Sequence, residues 1–277
     1  MRHPLTRKSD LLNAIQSAGW GASGVITNWF ASPDQVQYWI DRDVLSIVEF
    51  PRGVLIFRRD RDFHHIYHVA MDREALSAAL ASLGSAAATG DVLTSDIVGR
   101  PEDVQAIAGI YNDHGFREHN SLFRMVRSSG FPHVEDPRDP EVVFGEAGDV
   151  DPIRGFFDRL LDRFTDQIPE PDEIRRAVAR HNVILIRRGQ GLGGMLLFET
   201  TGLTSVLRYW YVNPEYRDQR IGGRLIKTFF HLCRPSKRII LWVDSDNTDG
   251  IAKYRHYGFT LENLVDRIMI KEGEART

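Results

Sequence analysis

The sequence predicts an α/β fold in which helices flank a central sheet, and it predicts this arrangement twice in 277 residues. In the second half, local patterns give the order β-α-α-β-β-β-α-β-α-β, and the first half shows a similar order of strands and helices. A proline-rich, acidic stretch at 128–142, SSGFPHVEDPRDPEV, separates the halves. We therefore predict domains at residues 1–130 and 141–277, with a linker at 131–140.

Composition limits the class of protein. The net charge of −3 provides no basic field that would attract nucleic acid. No apolar run approaches the roughly 18 residues of a membrane span, and the start MRHPLTRKSD lacks an apolar signal core. The single cysteine, Cys233, fits a reducing compartment. We expect a cytoplasmic protein that binds neither nucleic acid nor membranes.

The first half begins with two helical patterns. Ser9 precedes the first, and Ser32 with Pro33 precedes the second, as caps and first helical residues do. Three β-type runs follow, VLSIVEF, RGVLIFRR and FHHIYHVAM. His64 and His68 of the last run share a strand face that excludes His65, and no cysteine or carboxylate completes a metal site. We expect no metal.

The loop YRDQRIGGRL in the second half lies between a strand and a helix. The first amides of a helix lack intrahelical partners and lie at the positive end of its dipole, so they suit a phosphate. Gly222 and Gly223 would let the backbone approach closely, and Arg217, Arg220 and Arg224 could add charge-assisted contacts. The pattern alone also fits a simple tight turn.

Two motifs resemble the GCN5-related N-acetyltransferase (GNAT) superfamily over roughly residues 141–271. YVNPEYRDQRIGGRLI is similar to the family's cofactor loop, although Arg220 stands where glycine is usual. NTDGIAKYRHYGF is similar to the second signature, with Asn247, Tyr254 and Gly258-Phe259 at the family's spacing. The resemblance implies a mixed, mostly antiparallel sheet flanked by helices, and transfer of an acetyl or other acyl group from acyl-CoA to an amine.

The resemblance also implies site residues. In the family, the strand LRYWYV splays from the next strand and pairs with the cofactor arm. The implied cofactor contacts are Trp210, Tyr211, Val212, Arg217, Asp218, Gln219, Arg220, Ile221, Gly222, Gly223, Arg224 and Asn247. Tyr254 would be the general acid that protonates the CoA thiolate. Without the motif, Tyr254 also fits a packing role beside Phe259, and Asn247 also fits a helix cap.

The general base and the acceptor are less defined. Glu199 and Asp244 are candidate bases near strand ends, and each also fits an ordinary polar terminus. Asp166, Glu170 and Asp172 in FTDQIPEPDEI would suit a cationic amine, and they equally fit a solvated acidic loop. The acceptor would be a small-molecule or peptide amine.

Arg220 allows a conformational prediction. An ordinary helical or bridge conformation would cost little, whereas a left-handed one would cost on the order of 1 kcal/mol. We predict the ordinary conformation. A left-handed Arg220 would weaken the catalytic interpretation.

The first half contains IYNDHGF, in which Tyr111, Gly115 and Phe116 repeat the spacing of KYRHYGF. Its helix DREALSAALASL follows no glycine loop. We predict a tandem GNAT protein with a degenerate first half that binds one CoA; an unrelated α/β domain is the alternative. The first half would form one side of the acceptor site or mediate contact between subunits of a homodimer.

Two other functions fit the same patterns. One is a sensor that binds acyl-CoA without turnover. The other is a transferase whose acyl donor is a carrier protein or an aminoacyl-tRNA. The intact Tyr254 and Asn247 favour an enzyme, and the glycine loop favours free acyl-CoA as the donor.

Overall fold

The computed structural model describes residues 2–83, 92–128, 139–189 and 191–273. They form two compact units. The first comprises the chain up to Leu122 together with the residues from Asn263 onward, and the second is Phe123–Glu262. The C-terminal strand from Asn263 onward therefore lies in the first unit, whereas the sequence grouped it with residues 141–277. Most of the predicted linker lies outside the described residues.

The first unit begins with helices and a meander of strands. Its elements are β1 (His3–Pro4), α1 (Lys8–Ser17), β2 (Ile26–Thr27), α2 (Pro33–Asp41), β3 (Leu45–Phe50), β4 (Gly53–Asp60), β5 (Phe63–Ala70), α3 (Arg73–Ala81), β6 (Val92–Gly99) and α4 (Pro101–Asp113). The next strand, β7 (Arg117–Ser128), is divided between the two units.

The second unit follows the predicted element order. Its elements are β8 (Val143–Phe144), α5 (Val150–Leu160), α6 (Pro171–Ala179), β9 (Val183–Arg188), β10 (Gly191–Thr201), β11 (Thr204–Val212), a 3-10 turn (Pro214–Gln219), α7 (Ile221–Leu232), β12 (Arg238–Asp244), α8 (Thr248–His256) and β13 (Thr260–Lys271). The last strand continues into the first unit.

Each unit is built on a mostly antiparallel set of strands, as predicted. In the first, the order is β1-β3-β4-β5-β6-β13, and only β5 and β6 pair in parallel among the registers described. In the second, the order is β7-β12-β11-β10-β9-β8, and β11 and β12 are parallel. The α/β fold class is confirmed.

A local cap explains where the second helix begins, whereas the first helix has no side-chain cap. Ser32 caps α2 as predicted: its hydroxyl accepts from the Gln35 N–H, and the Gln35 side chain accepts from the Ser32 N–H. Ser9 does not cap α1, because the helix begins at Lys8 and Ser9 lies inside it.

Helix α7 packs on one face of the second unit's sheet through the predicted apolar stripe. Its buried residues are Ile221, Leu225, Ile226, Phe229 and Phe230. Helices α5 and α6 cover the other face through Ile153, Phe157 and Ile174. Among the described residues, no helix has the length and apolar character needed to cross a bilayer.

Candidate functional site

Strands β11 and β12 form a V. They pair only where Thr204–Val206 lies beside Arg238–Ile240. Beyond that point β11 continues to pair with β10, and the register shifts at Arg208, which forms a bulge. The rest of β11 therefore pairs along one edge, while its other edge, which faces the opening of the V, has no strand partner among the described residues.

The alternation of β11 shows which amides face the opening. The N–H of Asn213, the residue after β11, donates to the Gly193 carbonyl oxygen of the neighbouring strand β10 at 2.9 Å. In an antiparallel pair, successive residues turn their backbone groups to opposite sides. The backbone groups of Trp210 and Val212 therefore face the V, whereas those of Tyr211, opposite Met195, face β10. Trp210 and Val212 can accept an added strand, and Tyr211 cannot.

The same residues define the floor of the site. A Cβ on Gly222 would lie 3.2 Å from Val212 Cγ2 and 3.3 Å from Trp210 Cζ2, so glycine allows helix α7 to approach β11. The Trp210 indole N–H is buried and has no hydrogen-bond partner among the described residues. Such an orphaned donor is expected where a ligand supplies the acceptor.

Arg220 connects the 3-10 turn to helix α7, and its backbone is left-handed, with φ 55° and ψ 20°. The prediction of an ordinary conformation was wrong. Arg220 ends the 3-10 turn and directly precedes helix α7, so the chain has to change direction between the two helical segments at this single residue. From the sequence we expected a left-handed Arg220 to weaken the catalytic interpretation, so this conformation counts against a phosphate loop. A left-handed backbone at this position also explains why glycine is usual there in the family that the sequence resembles.

The amides that follow favour a phosphate loop. Helix α7 has no side-chain N-cap. The Arg224 N–H donates to the Arg220 carbonyl, but no acceptor for the amides of Ile221, Gly222 and Gly223 occurs among the described residues. Three free N–H groups at the positive end of a helix form a site that can hold an anion.

The polar side chains around this turn differ in their availability. Arg217, Asp218 and Arg220 are exposed and form no ion pair with described residues. Gln219 accepts a hydrogen bond from Arg188 at 2.8 Å. Arg224, expected from the sequence to contact phosphate, is instead held by other groups.

Two carboxylates engage Arg224. Its guanidinium forms a two-pronged ion pair with Asp139 and a 3.2 Å contact with Glu141, which also binds Arg188. These hydrogen bonds raise the pKa of Arg224 above its ordinary value. Arg217 and Arg220 are therefore the cations available to an incoming anion at this turn.

Tyr254 on α8 and Tyr257, the C-cap residue of that helix, pack against Trp210, with ring centroids 5.7 and 5.6 Å from its ring. Burial raises the pKa of Tyr254 to about 12, and its hydroxyl forms no hydrogen bond within the described part of the chain. The Tyr257 hydroxyl lies 3.4 Å from the Cβ position of Gly223. The sequence reasoning missed Tyr257, although its spacing from Tyr254 places both on one helix face.

Asn247 caps helix α8, because its side-chain oxygen accepts from the Gly250 N–H at 2.8 Å. This is the structural role that the sequence left open. Its side-chain nitrogen has no partner among the described residues, so a contact with a ligand remains compatible with the cap.

Acidic groups gather at the open end of the V. The Tyr209 hydroxyl donates to the Gln167 carbonyl at 2.8 Å, which ties the α5–α6 loop to β11. Asp166 of that loop is half-buried and accepts from the Asp162 N–H. Burial raises the pKa of Asp166 to about 6, and the charges of Asp162 and of Asp244 at the end of β12 add to the rise.

The other acidic candidates have partners within the fold. Glu199 lies 3.6 Å from Arg208, and Asp244 accepts from the Asp246 N–H at 2.8 Å. Glu170 forms a capping box at the start of α6, and Asp172 pairs with Arg175. No group of three His, Cys, Asp or Glu side chains in the described ranges is arranged to hold a metal ion.

Residues 153–259, within the second unit, match the model of the Acetyltransferase (GNAT) family. This match identifies a GNAT-type acetyltransferase domain within the second unit. No curated protein matches its sequence significantly.

Solved structures resemble both halves of the chain. A GCN5-related N-acetyltransferase from Sphaerobacter thermophilus is 16% identical, with 98% of this chain and 95% of that one covered and a TM-score of 0.63. A tandem GNAT protein from the clavulanic acid biosynthesis pathway is 12% identical over 100% and 99% of the chains, with a TM-score of 0.57. A glucosamine N-acetyltransferase region of a fungal GH3 β-N-acetylglucosaminidase is 12% identical over 98% of this chain and 38% of that one, with a TM-score of 0.64. At these identities the likeness concerns the fold alone, which is a tandem GNAT fold.

Proposed function

We propose that this protein is an N-acyltransferase that transfers an acetyl or other acyl group from acyl-CoA to an amine. The observation that carries the proposal is the meeting of two unsatisfied backbone surfaces, the free edge of β11 and the uncapped start of α7. An extended ligand with amides at one end and phosphates at the other would satisfy both.

The chain's own groups suit such a ligand. Trp210 and Val212 would pair with the pantetheine arm, and the amides of Ile221–Gly223 would receive the pyrophosphate. Arg217 and Arg220 would add charge-assisted contacts. When bound, acyl-CoA supplies an acyl group activated as a thioester.

Tyr254 is proposed as the general acid. A pKa of about 12 keeps its phenol protonated at neutral pH, so it can deliver a proton to sulfur as the carbon–sulfur bond breaks and the amide bond forms. Its hydroxyl has no competing partner among the described residues, which leaves that proton available.

Asp166 is proposed as the group that takes the proton from the attacking amine, in place of Glu199 or Asp244. With a pKa of about 6 it is mainly ionised at neutral pH and still basic enough to accept a proton. Its negative charge, together with the nearby Asp162 and Asp244, favours a cationic amine as the acceptor.

Tyr254→Phe tests the assignment, with Tyr257→Phe as the matched control. We expect Tyr254→Phe to lower kcat by roughly 10²–10⁴-fold because proton delivery is lost, and to leave the Kd for acetyl-CoA unchanged. Tyr257→Phe should keep kcat within a few-fold of the parent. The assay would follow release of the CoA thiol with a panel of amines.

A thermal-shift titration tests the donor separately. Acetyl-CoA should raise the melting temperature in a concentration-dependent way, since it binds only the folded state. No stabilisation at millimolar acetyl-CoA would contradict the proposal in its acetyl form. If acetyl-CoA binds but Tyr254→Phe keeps the parent kcat, the proposed donor site would stand and the assignment of Tyr254 as the general acid would fail.

A further inference from the structure

Strands β5 and β6 of the first unit repeat the geometry of β11 and β12. They pair in parallel only where Phe63–His65 lies beside Val92–Thr94. Beyond that point β5 stays paired with β4 on its other side. The first unit therefore has its own V, with an inner edge on β5 that corresponds to the free edge of β11.

In the first unit this inner edge is occupied. Strand β2 adds to β5 in antiparallel fashion, with Ile26 opposite Ala70 and Thr27 opposite Val69. The His68 N–H donates to Asn28 Oδ1 at 2.7 Å, and the His68 carbonyl accepts from the Thr27 hydroxyl at 2.8 Å. The backbone groups of His68, which face the V, are satisfied by the chain itself.

Asn28 bridges the two arms of this V. Its side-chain nitrogen donates to the Asp96 carbonyl on β6 at 2.9 Å and lies 3.3 Å from the Ile66 carbonyl on β5. The residue is only 6% exposed. One primary amide thus supplies donors and an acceptor between strands that no longer pair with each other.

Two groups of the first unit that correspond to the start of α7 and to Tyr254 also have partners within the unit. Asp72 caps helix α3 by accepting from the Ala75 N–H at 2.9 Å, whereas α7 has no side-chain cap. The Tyr111 hydroxyl, at the position that matches Tyr254, lies 2.9 Å from His68 Nδ1 and 3.0 Å from Ser95 Oγ. The Ala75 amide and the Tyr111 hydroxyl are therefore engaged within the first unit, unlike the Gly223 amide and the Tyr254 hydroxyl of the second.

We infer that the first unit contains an acyl-CoA slot that its own chain fills, with Ile26–Asn28 in the place of the pantetheine arm. A pantetheine arm carries amide groups, and the Asn28 side chain presents the same donors and acceptor to the same kind of strand edge. The inference rests on the proposed function of the second unit, whose equivalent edge is free. It predicts one acyl-CoA per chain and makes Asn28 a residue that closes the first slot.

Amide hydrogen exchange on the full-length chain, followed by NMR with and without acetyl-CoA, tests both slots at once. The His68 amide should be protected without ligand and unchanged by acetyl-CoA. The Trp210 and Val212 amides should exchange quickly without ligand and become protected with it. Calorimetry should give one site per chain. A second site, or added protection at His68, would overturn the inference.

A substitution decides the inference even if acetyl-CoA does not bind. Asn28→Ala should reduce protection of the His68 amide by roughly tenfold or more and lower the melting temperature by several degrees, since buried backbone groups lose their partner. The Kd of the second unit should stay within about twofold. Asn13→Ala, at an exposed position on α1, is the control and should change none of these values.

The outcomes separate the two hypotheses. If acetyl-CoA protects neither Trp210 nor Val212, the proposed function fails. If Asn28→Ala leaves the His68 amide as protected as it is in Asn13→Ala, the closed slot fails, whatever the second unit binds.

Discussion

At Arg220 the backbone holds φ 55° and ψ 20°, a conformation in which a Cβ crowds the neighbouring carbonyl. The cost is about 1 kcal/mol for a residue other than glycine. The exposed guanidinium has no ion-pair partner among the described residues, so no contact within the fold offsets this cost. A ligand phosphate would do so.

Replacing Arg220 by glycine separates these effects. Arg220→Gly should stabilise the protein by about 0.5–1 kcal/mol, because the strain is relieved by more than the added chain entropy costs. It should also weaken acetyl-CoA binding by roughly 3–10-fold through loss of a charge-assisted contact. Urea unfolding and calorimetry measure the two effects.

Asp218→Gly is the control for that experiment, since Asp218 is exposed and has ordinary helical angles. It should destabilise the protein, as glycine does within a helical turn. If Arg220→Gly were as destabilising as Asp218→Gly, the left-handed conformation would carry no strain.

Asp166 makes stability depend on pH. Its pKa is raised to about 6, so the folded protein binds this proton more tightly than the unfolded chain does. The contribution of Asp166 to the free energy of unfolding is fully present at pH values below the pKa of the unfolded chain, near 3.8. It decreases by roughly 2–3 kcal/mol as the pH rises through the folded-state pKa of about 6. Asp166→Asn should remove that loss.

The expected result for Asp166→Asn is a protein more stable than the parent at pH 8, with no such gain at pH 4, and with reduced kcat. Urea unfolding at both pH values measures the stability, and exposed Asp113→Asn is the control. An equal gain at pH 4 and pH 8 would show that ionisation of Asp166 is not the cause.

At the scale of elements, the site depends on how closely helix α7 lies against β11. Gly222 and Gly223 are adjacent in the motif but have different surroundings. A Cβ at Gly222 meets Val212 and Trp210 at 3.2–3.3 Å, whereas at Gly223 it meets only the Tyr257 hydroxyl at 3.4 Å. The first glycine is needed for helix–strand packing, and the second is not.

Gly222→Ala and Gly223→Ala form a matched pair. Gly222→Ala should cost roughly 1–3 kcal/mol of stability by pushing α7 away from β11, and it should weaken acetyl-CoA binding with it. Gly223→Ala should be neutral or stabilising by up to about 1 kcal/mol, because alanine favours the helix. Chemical unfolding of both variants would show the order, and the reverse order would refute the packing argument.

Sequence patterns predicted the order of elements in the second half because strand alternation and helical spacing act over a few residues. They also located the loop before α7 and the helix that carries Tyr254. They did not predict that Asp139 and Glu141 hold Arg224, because those residues are far apart in the chain. Burial of Asp166 likewise arises from neighbours on other elements.

At the scale of the whole molecule, the two units have the same kind of strand arrangement but differ in how it is used. In the second unit the edge of β11, the start of α7 and the Tyr254 hydroxyl lack partners among the described residues. In the first, residues of the same unit occupy the equivalent positions. The strand from Asn263 onward pairs with β6, so the first unit contains residues from both ends of the chain.

The sequence alone determined the α/β class, the tandem order and the two GNAT motifs, since these follow from local periodicity and from residue types at fixed short spacings. Only the tertiary structure decided the left-handed Arg220, the free edge of β11 and the place of Asn28 between β5 and β6. Asn28 contacts Asp96, 68 residues away in the chain, and such contacts depend on how the strands diverge and pack. Whether a strand edge is open or filled is a property of the folded chain.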